Sequence, residues 1–121
     1  MKLSYDNKVL SYDKDNKEGE KFFNFLKNSF HISKDDLANI ICVMFDLDNA
    51  SGPIDFDVYK NKEYETWYVK YQSVNRILAF DSFSRKEHYA TIQLFSVTTI
   101  DGKMKKELRK SYFWNYSQHN D

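Results

Sequence analysis

An α+β fold, two helices packed on one face of a curved antiparallel sheet of about five strands, is what this 121-residue sequence predicts. Three observations carry it. Two N-terminal segments repeat apolar residues every three to four positions behind helix-cap signals. From Pro53 onward the apolar period becomes two, as in strands with one buried face. Finally, Asp101-Gly102 separates two long alternating runs, which is the chemistry of a tight hairpin. The length fits one domain with a core of its own. Within it, residues 1–14 form a hairpin or arm, 16–48 the helical part and 53–117 the antiparallel meander.

The chain opens on a near-repeat, Leu3-Ser4-Tyr5-Asp6-Asn7-Lys8 and then Leu10-Ser11-Tyr12-Asp13. Asp6-Asn7 between β-prone segments reads as a tight hairpin, because both residues tolerate positive φ. A polar arm is the competing reading, and both stay open. Asp15 and Glu18 have capping-box spacing, and Phe22, Phe25, Leu26, Ser29 and Phe30 then share a helical face. The first helix is expected from about Asn16 to Phe30, with Gly19 weakening its first turn. Ser33 and Asp36 form a second cap signal ahead of Leu37, Ile40, Ile41, Met44 and Leu47. That helix is expected to end near Asp48. It is apolar over most of its surface, which predicts a central position.

Ile54, Phe56 and Val58 alternate with Asp55, Asp57 and Tyr59 in the first strand of the meander. Trp67, Val69 and Tyr71 alternate with Thr66, Tyr68 and Lys70 in the second. Arg76 to Phe83 and His88 to Ile100 are the third and fourth. The last strand, Lys103 to Ser117, places Met104, Leu108, Tyr112, Trp114 and Tyr116 between charged neighbours. Its pattern slips near Lys106 to Lys110, which reads as a bulge or a short helical turn. Helices first and a curved meander afterwards resembles the element order of cystatin-like and nuclear-transport-factor-like domains. The likeness is one of layout and implies no function.

Composition narrows function by exclusion. The net charge is zero, against a dedicated duplex-DNA binder. Beneath that balance lies a dipole: residues 35–57 hold six Asp and no Lys or Arg, whereas 103–110 hold Lys103, Lys105, Lys106, Arg109 and Lys110 against Glu107 alone. A single cysteine, Cys42, excludes an internal disulfide, and no run approaches the ~20 apolar residues of a membrane span. A soluble, cytoplasmic protein without a signal-peptide apolar region is expected. Fifteen lysines to three arginines, with abundant Asn, suggest an AT-rich coding sequence and hence a low-GC bacterium, its phage or its plasmids as the source.

Cys42-Val43-Met44-Phe45-Asp46-Leu47-Asp48-Asn49 resembles the first motif of haloacid-dehalogenase-type phosphatases. The resemblance implies Asp46 as nucleophile, Asp48 as acid and base, and magnesium between them. Ala50 departs from the family's Thr or Val, the later lysine and acidic-pair motifs are not in order, and a capped helix leads into the motif where the family has a strand. The competing reading makes Asp46 and Asp48 solvated acids at a helix end. No cofactor is expected, and no metal site beyond these two remote candidates. His31, His88 and His119 share no ligand spacing.

The C-terminal segment mixes cations with aromatics. Lys103, Lys105, Lys106, Arg109, Lys110, Tyr112, Trp114 and Tyr116, with Trp67 and Tyr68 across the sheet, are the candidate partner-binding residues. Three readings compete: aromatics packed under the helices with solvated lysines, a protein interface, or a single-stranded nucleic-acid site that stacks bases on aromatics. Both sheet faces carry aromatics and two helices cover only one, so the leftover face predicts a protein partner or a homodimer. The preferred expectation is a small non-enzymatic binding protein, an accessory factor that inhibits or modulates a larger host protein or nucleoprotein machine.

Overall fold

A computed structural model describes residues 1–115. In chain order it contains β1 (Lys2–Asp6), β2 (Val9–Tyr12), α1 (Lys17–Phe30), α2 (Lys34–Met44), β3 (Ile54–Lys60), β4 (Thr66–Tyr71), β5 (Arg76–Asp81), β6 (Tyr89–Ile100) and β7 (Lys103–Asn115). The strands form one antiparallel sheet in the order β2-β1-β3-β4-β5-β6-β7. Seven strands replace the expected five. The two additional ones are the N-terminal hairpin, which is part of the sheet and no loose arm. Its turn is Asn7-Lys8, with φ of 50° and 65°, one residue later than expected. Leu3 pairs with Phe56 and Lys2 with Asp57. The hairpin joins because Leu3, Tyr5 and Leu10 form an apolar face that only the helices can cover.

Asn16, not Asp15, caps α1: its side chain accepts the Glu18 N–H at 3.0 Å, while Asp13 takes the Asp15 N–H. The helix stops where His31 turns left-handed, and the Ile32 N–H reaches back to the Leu26 carbonyl at 3.1 Å. Ser33 and Asp36 form the expected capping box on α2, at 3.1 and 3.0 Å. That helix ends at Met44, four residues before Asp48, because Asp46 enters the left-handed region at φ 56°. The Leu47 N–H then closes on the Cys42 carbonyl at 2.9 Å, and Leu47 folds under as a buried residue.

Both helices lie on the face that carries Leu3, Phe56, Val58, Trp67, Val69, Leu78, Phe80, Ile92 and Trp114. Phe22 sits at the junction of the layers, its ring 5.3 Å from Trp67 and 6.1 Å from Phe80. Burying each such Phe side chain contributes roughly 1.5–3 kcal/mol. The Trp114 indole N–H donates to the Phe30 carbonyl at 2.8 Å and ties the last strand to the end of α1.

Gly19 is buried in the first turn of α1 for a reason that propensity hides. A Cβ there would lie 2.5 Å from Met1 Sδ and 2.7 Å from a Tyr12 ring carbon. Gly19→Ala, which in an exposed helix stabilises by up to about 1 kcal/mol, is therefore expected to destabilise this protein by about that much. Urea denaturation checks the sign.

Candidate binding face

The sequence motif around Asp46 does not bring two carboxylates together. Asp46 occupies the left-handed position after α2, and both its oxygens accept from Lys110 Nζ, at 3.1 and 3.0 Å. Asp48 accepts from the Cys42 thiol at 3.3 Å. The apolar run before them is helix, so the strand on which the phosphatase resemblance depends is replaced by a capped helix end. Among the described residues no group of three or more His, Cys, Asp or Glu could hold a metal ion. Cys42 is buried and also meets the Tyr5 hydroxyl. Burial, and then the hydrogen bond with Cys42, push Tyr5 up to about 12.

The last strand is where alternation misleads. Leu94 pairs with Lys110, but Phe95 pairs with Leu108, so Arg109 is the extra residue of a β-bulge. The bulge exchanges the faces. After it, Tyr112 and Trp114 point to the helices, opposite Ile92 and Ala90. Before it, Met104, Lys106 and Leu108 point to the other face, and Lys103, Lys105 and Glu107 to the helix side, beyond the reach of the helices. Arg109 donates from Nε to Ser96 Oγ at 3.1 Å, and Lys110 is held by Asp46. Trp114 and Trp67, 5% and 4% exposed, are thus core residues unavailable to a partner, and Tyr112 is half-buried against the same core. Tyr116 lies outside the described residues, as does His119. Of the proposed site, Tyr68 and Lys106 share the helix-free face, while Lys103 and Lys105 remain exposed at the free edge.

The helix-free face has its own aromatic floor. Tyr59 and Tyr68 are directly opposite, with rings 5.4 Å apart. Burial, with the charges of Tyr68 and Asp57, raises the Tyr59 hydroxyl above its ordinary value. Lys106 Nζ stands 5.4 Å from the ring centres of both Tyr68 and Phe95. Beneath them Ile77 and Ala79 are buried although no helix covers that side. Tyr64, Phe83, Thr91 and Gln93 complete the rim of a hollow of about 460 Å³. Next to it Tyr89 and Phe113 lie with rings 6.1 Å apart, and Phe83 and Phe113 are 75% and 67% exposed. A larger hollow of about 930 Å³ lies where β2 meets the helices, lined by Tyr12, Phe23, Lys27 and Lys34. Its floor is the stacked Tyr12–Phe23 pair, and its helix N-terminus is already satisfied by the Ser33 capping box.

Sequence reasoning counted Phe83 among the sheet's aromatics but missed Tyr89, Phe95 and Phe113. What the bulge corrects is the grouping of Met104 and Leu108 with Tyr112 and Trp114, which an uninterrupted alternation places on one face. Among the described residues no helix is long and apolar enough to cross a membrane. No protein-family model matches the chain, and neither a curated protein nor a solved structure shows significant similarity to it.

Substitutions at two positions, Asp46 and Tyr5, test the local physics. Asp46→Gly is expected to unfold at urea concentrations no lower than the original, since glycine suits the left-handed position and an exposed ion pair contributes little. Asp46→Val is expected to cost about 1–2 kcal/mol. For Tyr5, the unfolded chain releases its proton near pH 10 and the folded one near 12. Between those values the unfolded state binds fewer protons, so stability present below pH 10 is lost as the pH rises towards 12. Chemical denaturation across that range should show the decline, and Tyr5→Phe should flatten it.

Proposed function

We propose that this protein is a small non-enzymatic binding protein that docks on a larger protein through the helix-free face of its sheet. The observation that carries the reading is the exposure of Phe83, Tyr89 and Phe113 on the face that holds the Tyr68–Phe95 hollow. Large aromatics in the open are the usual energetic anchors of protein interfaces, and clusters of them on a soluble surface mark contact sites. Together with the composition, this supports an accessory role, from a phage or mobile element, in which docking inhibits or modulates the partner.

A single-stranded nucleic-acid site is the competing reading, and Lys106 between two rings is what favours it. Such a site needs cations and stacking rings on one face. Here Lys103, Lys105, Arg109 and Lys110 turn to the helix side, whereas Tyr68, Tyr89, Phe95 and Phe113 face the other way. That separation favours a protein.

The test is affinity capture from the cells that make the protein, paired with sedimentation of the pure chain. The wild type and Val43→Ser, on the exposed outer side of α2, should retain the same partner. The double variant Phe83→Ala/Phe113→Ala should lose it, with binding at least tenfold weaker. A partner held equally by all three proteins overturns the assignment of the face. An inert monomer that captures nothing overturns the function, as does salt-sensitive binding to mixed single-stranded oligonucleotides that the aromatic variant leaves unchanged and Lys105→Ala weakens.

A further inference from the structure

We infer that the free edge of β7 accepts an extended polypeptide segment in which acidic and apolar residues alternate, added as an eighth strand. The inference rests on the protein-partner reading above and names the chemistry of the partner. Of the two sheet edges, β2 offers four residues and β7 offers thirteen. Among the described residues β7 pairs only with β6, so its outer row of N–H and C=O groups faces no strand. Such a row pairs readily with another extended chain.

The side chains then specify the occupant. The bulge at Arg109 interrupts the ladder, which leaves Lys103–Leu108 as the regular stretch. On its helix side stand Lys103, Lys105 and Glu107; on the other stand Met104, Lys106 and Leu108. Met104 and Leu108 are 62% and 50% exposed. A strand laid alongside places its side chains about 4.5–5.5 Å from these. One of its faces would meet Lys103 and Lys105, the other Met104 and Leu108. Acid on the first face and apolar on the second is the pattern that satisfies both.

A second copy of this chain is a poor occupant. Centring two antiparallel copies of the regular stretch on Lys105, Lys106 or Glu107 sets that charged residue against its own copy. Like charges directly opposite are destabilising. The same lysines keep copies of the sheet apart and leave the edge open to a partner of opposite charge.

The probe is a capped dodecapeptide of alternating Glu and Val, compared with one of the same composition with Glu and Val in two blocks, and with alternating Lys and Val. Fluorescence anisotropy reads affinity on the full chain, and amide hydrogen exchange reads the β7 backbone. The alternating acidic peptide should bind at least tenfold tighter than either control and weaken as salt rises. It should slow exchange at alternate residues of Lys103–Leu108, and lose at least tenfold in affinity to Lys103→Glu/Lys105→Glu, both exposed positions whose folding is checked by circular dichroism. Equal binding of the three peptides, no binding, or unchanged β7 exchange overturns the inference, and so does tighter binding to a thymidine oligonucleotide. A captured partner that is lost with Phe83→Ala/Phe113→Ala yet held fully by the lysine variant leaves the docking face standing and removes the added strand.

Discussion

Two helices are too few for seven strands, and the rest of the structure follows from that shortage. With 14 and 11 residues, α1 and α2 are about 21 and 16 Å long, and side by side they cover about 20 Å of width. Six inter-strand steps of about 4.8 Å make the sheet roughly 29 Å wide. One face is covered where Leu10, Phe56, Phe80 and Trp114 pack against the helices, and among the described residues no helix lies on the other. The covered side collects Phe22, Phe30, Phe56 and Phe80 at essentially zero exposure. The uncovered side must shield its own apolar residues, and it does so with side chains. Tyr68, Phe95 and the stem of Lys106 lie over Ile77 and Ala79, which stay buried with no helix above them.

The bulge at Arg109 is the second consequence of that geometry. It lets one continuous strand serve two environments. The half after the bulge sends Tyr112 and Trp114 under the helices, and the Trp114–Phe30 hydrogen bond fixes it there. The half before it lies beyond the helices, and every residue from Lys103 to Leu108 is exposed. Asp46 and Lys110 join the end of α2 to the strand near the point where the two halves meet.

Much of this was legible in local chemistry. The Ser33–Asp36 box and the Leu37/Ile40/Ile41/Met44 stripe mark α2, and Asp101-Gly102 marks the β6–β7 turn, with φ of 53° and 75°. What failed depends on contacts between distant residues. The N-terminal hairpin joins the sheet because Leu3 meets Phe56 across more than fifty residues, and no window around Leu3 contains that fact. Met44, not Asp48, ends α2 because an aspartate takes a left-handed turn that usually belongs to glycine. As for the site, a period of two says which residues share a face but not which face is buried. The Arg109 bulge then reverses the answer halfway along β7, which separates Met104 and Leu108 from Tyr112 and Trp114.

A strand divided in this way separates stability from recognition. Substitutions at Lys103, Lys105 or Phe113 remove exposed side chains with no buried partner, and surface changes of that kind usually shift stability by less than about 0.5 kcal/mol. Changes at Trp114 would instead leave the Phe30 carbonyl unpaired inside the protein, at a cost of roughly 1–3 kcal/mol. The two halves can therefore vary on different terms: the buried one is held by packing, while the exposed one can be retuned to a partner with little effect on the fold. An edge crowded with lysines suits that division. It discourages pairing between copies of the chain while keeping the exposed stretch Lys103–Leu108 available to something else.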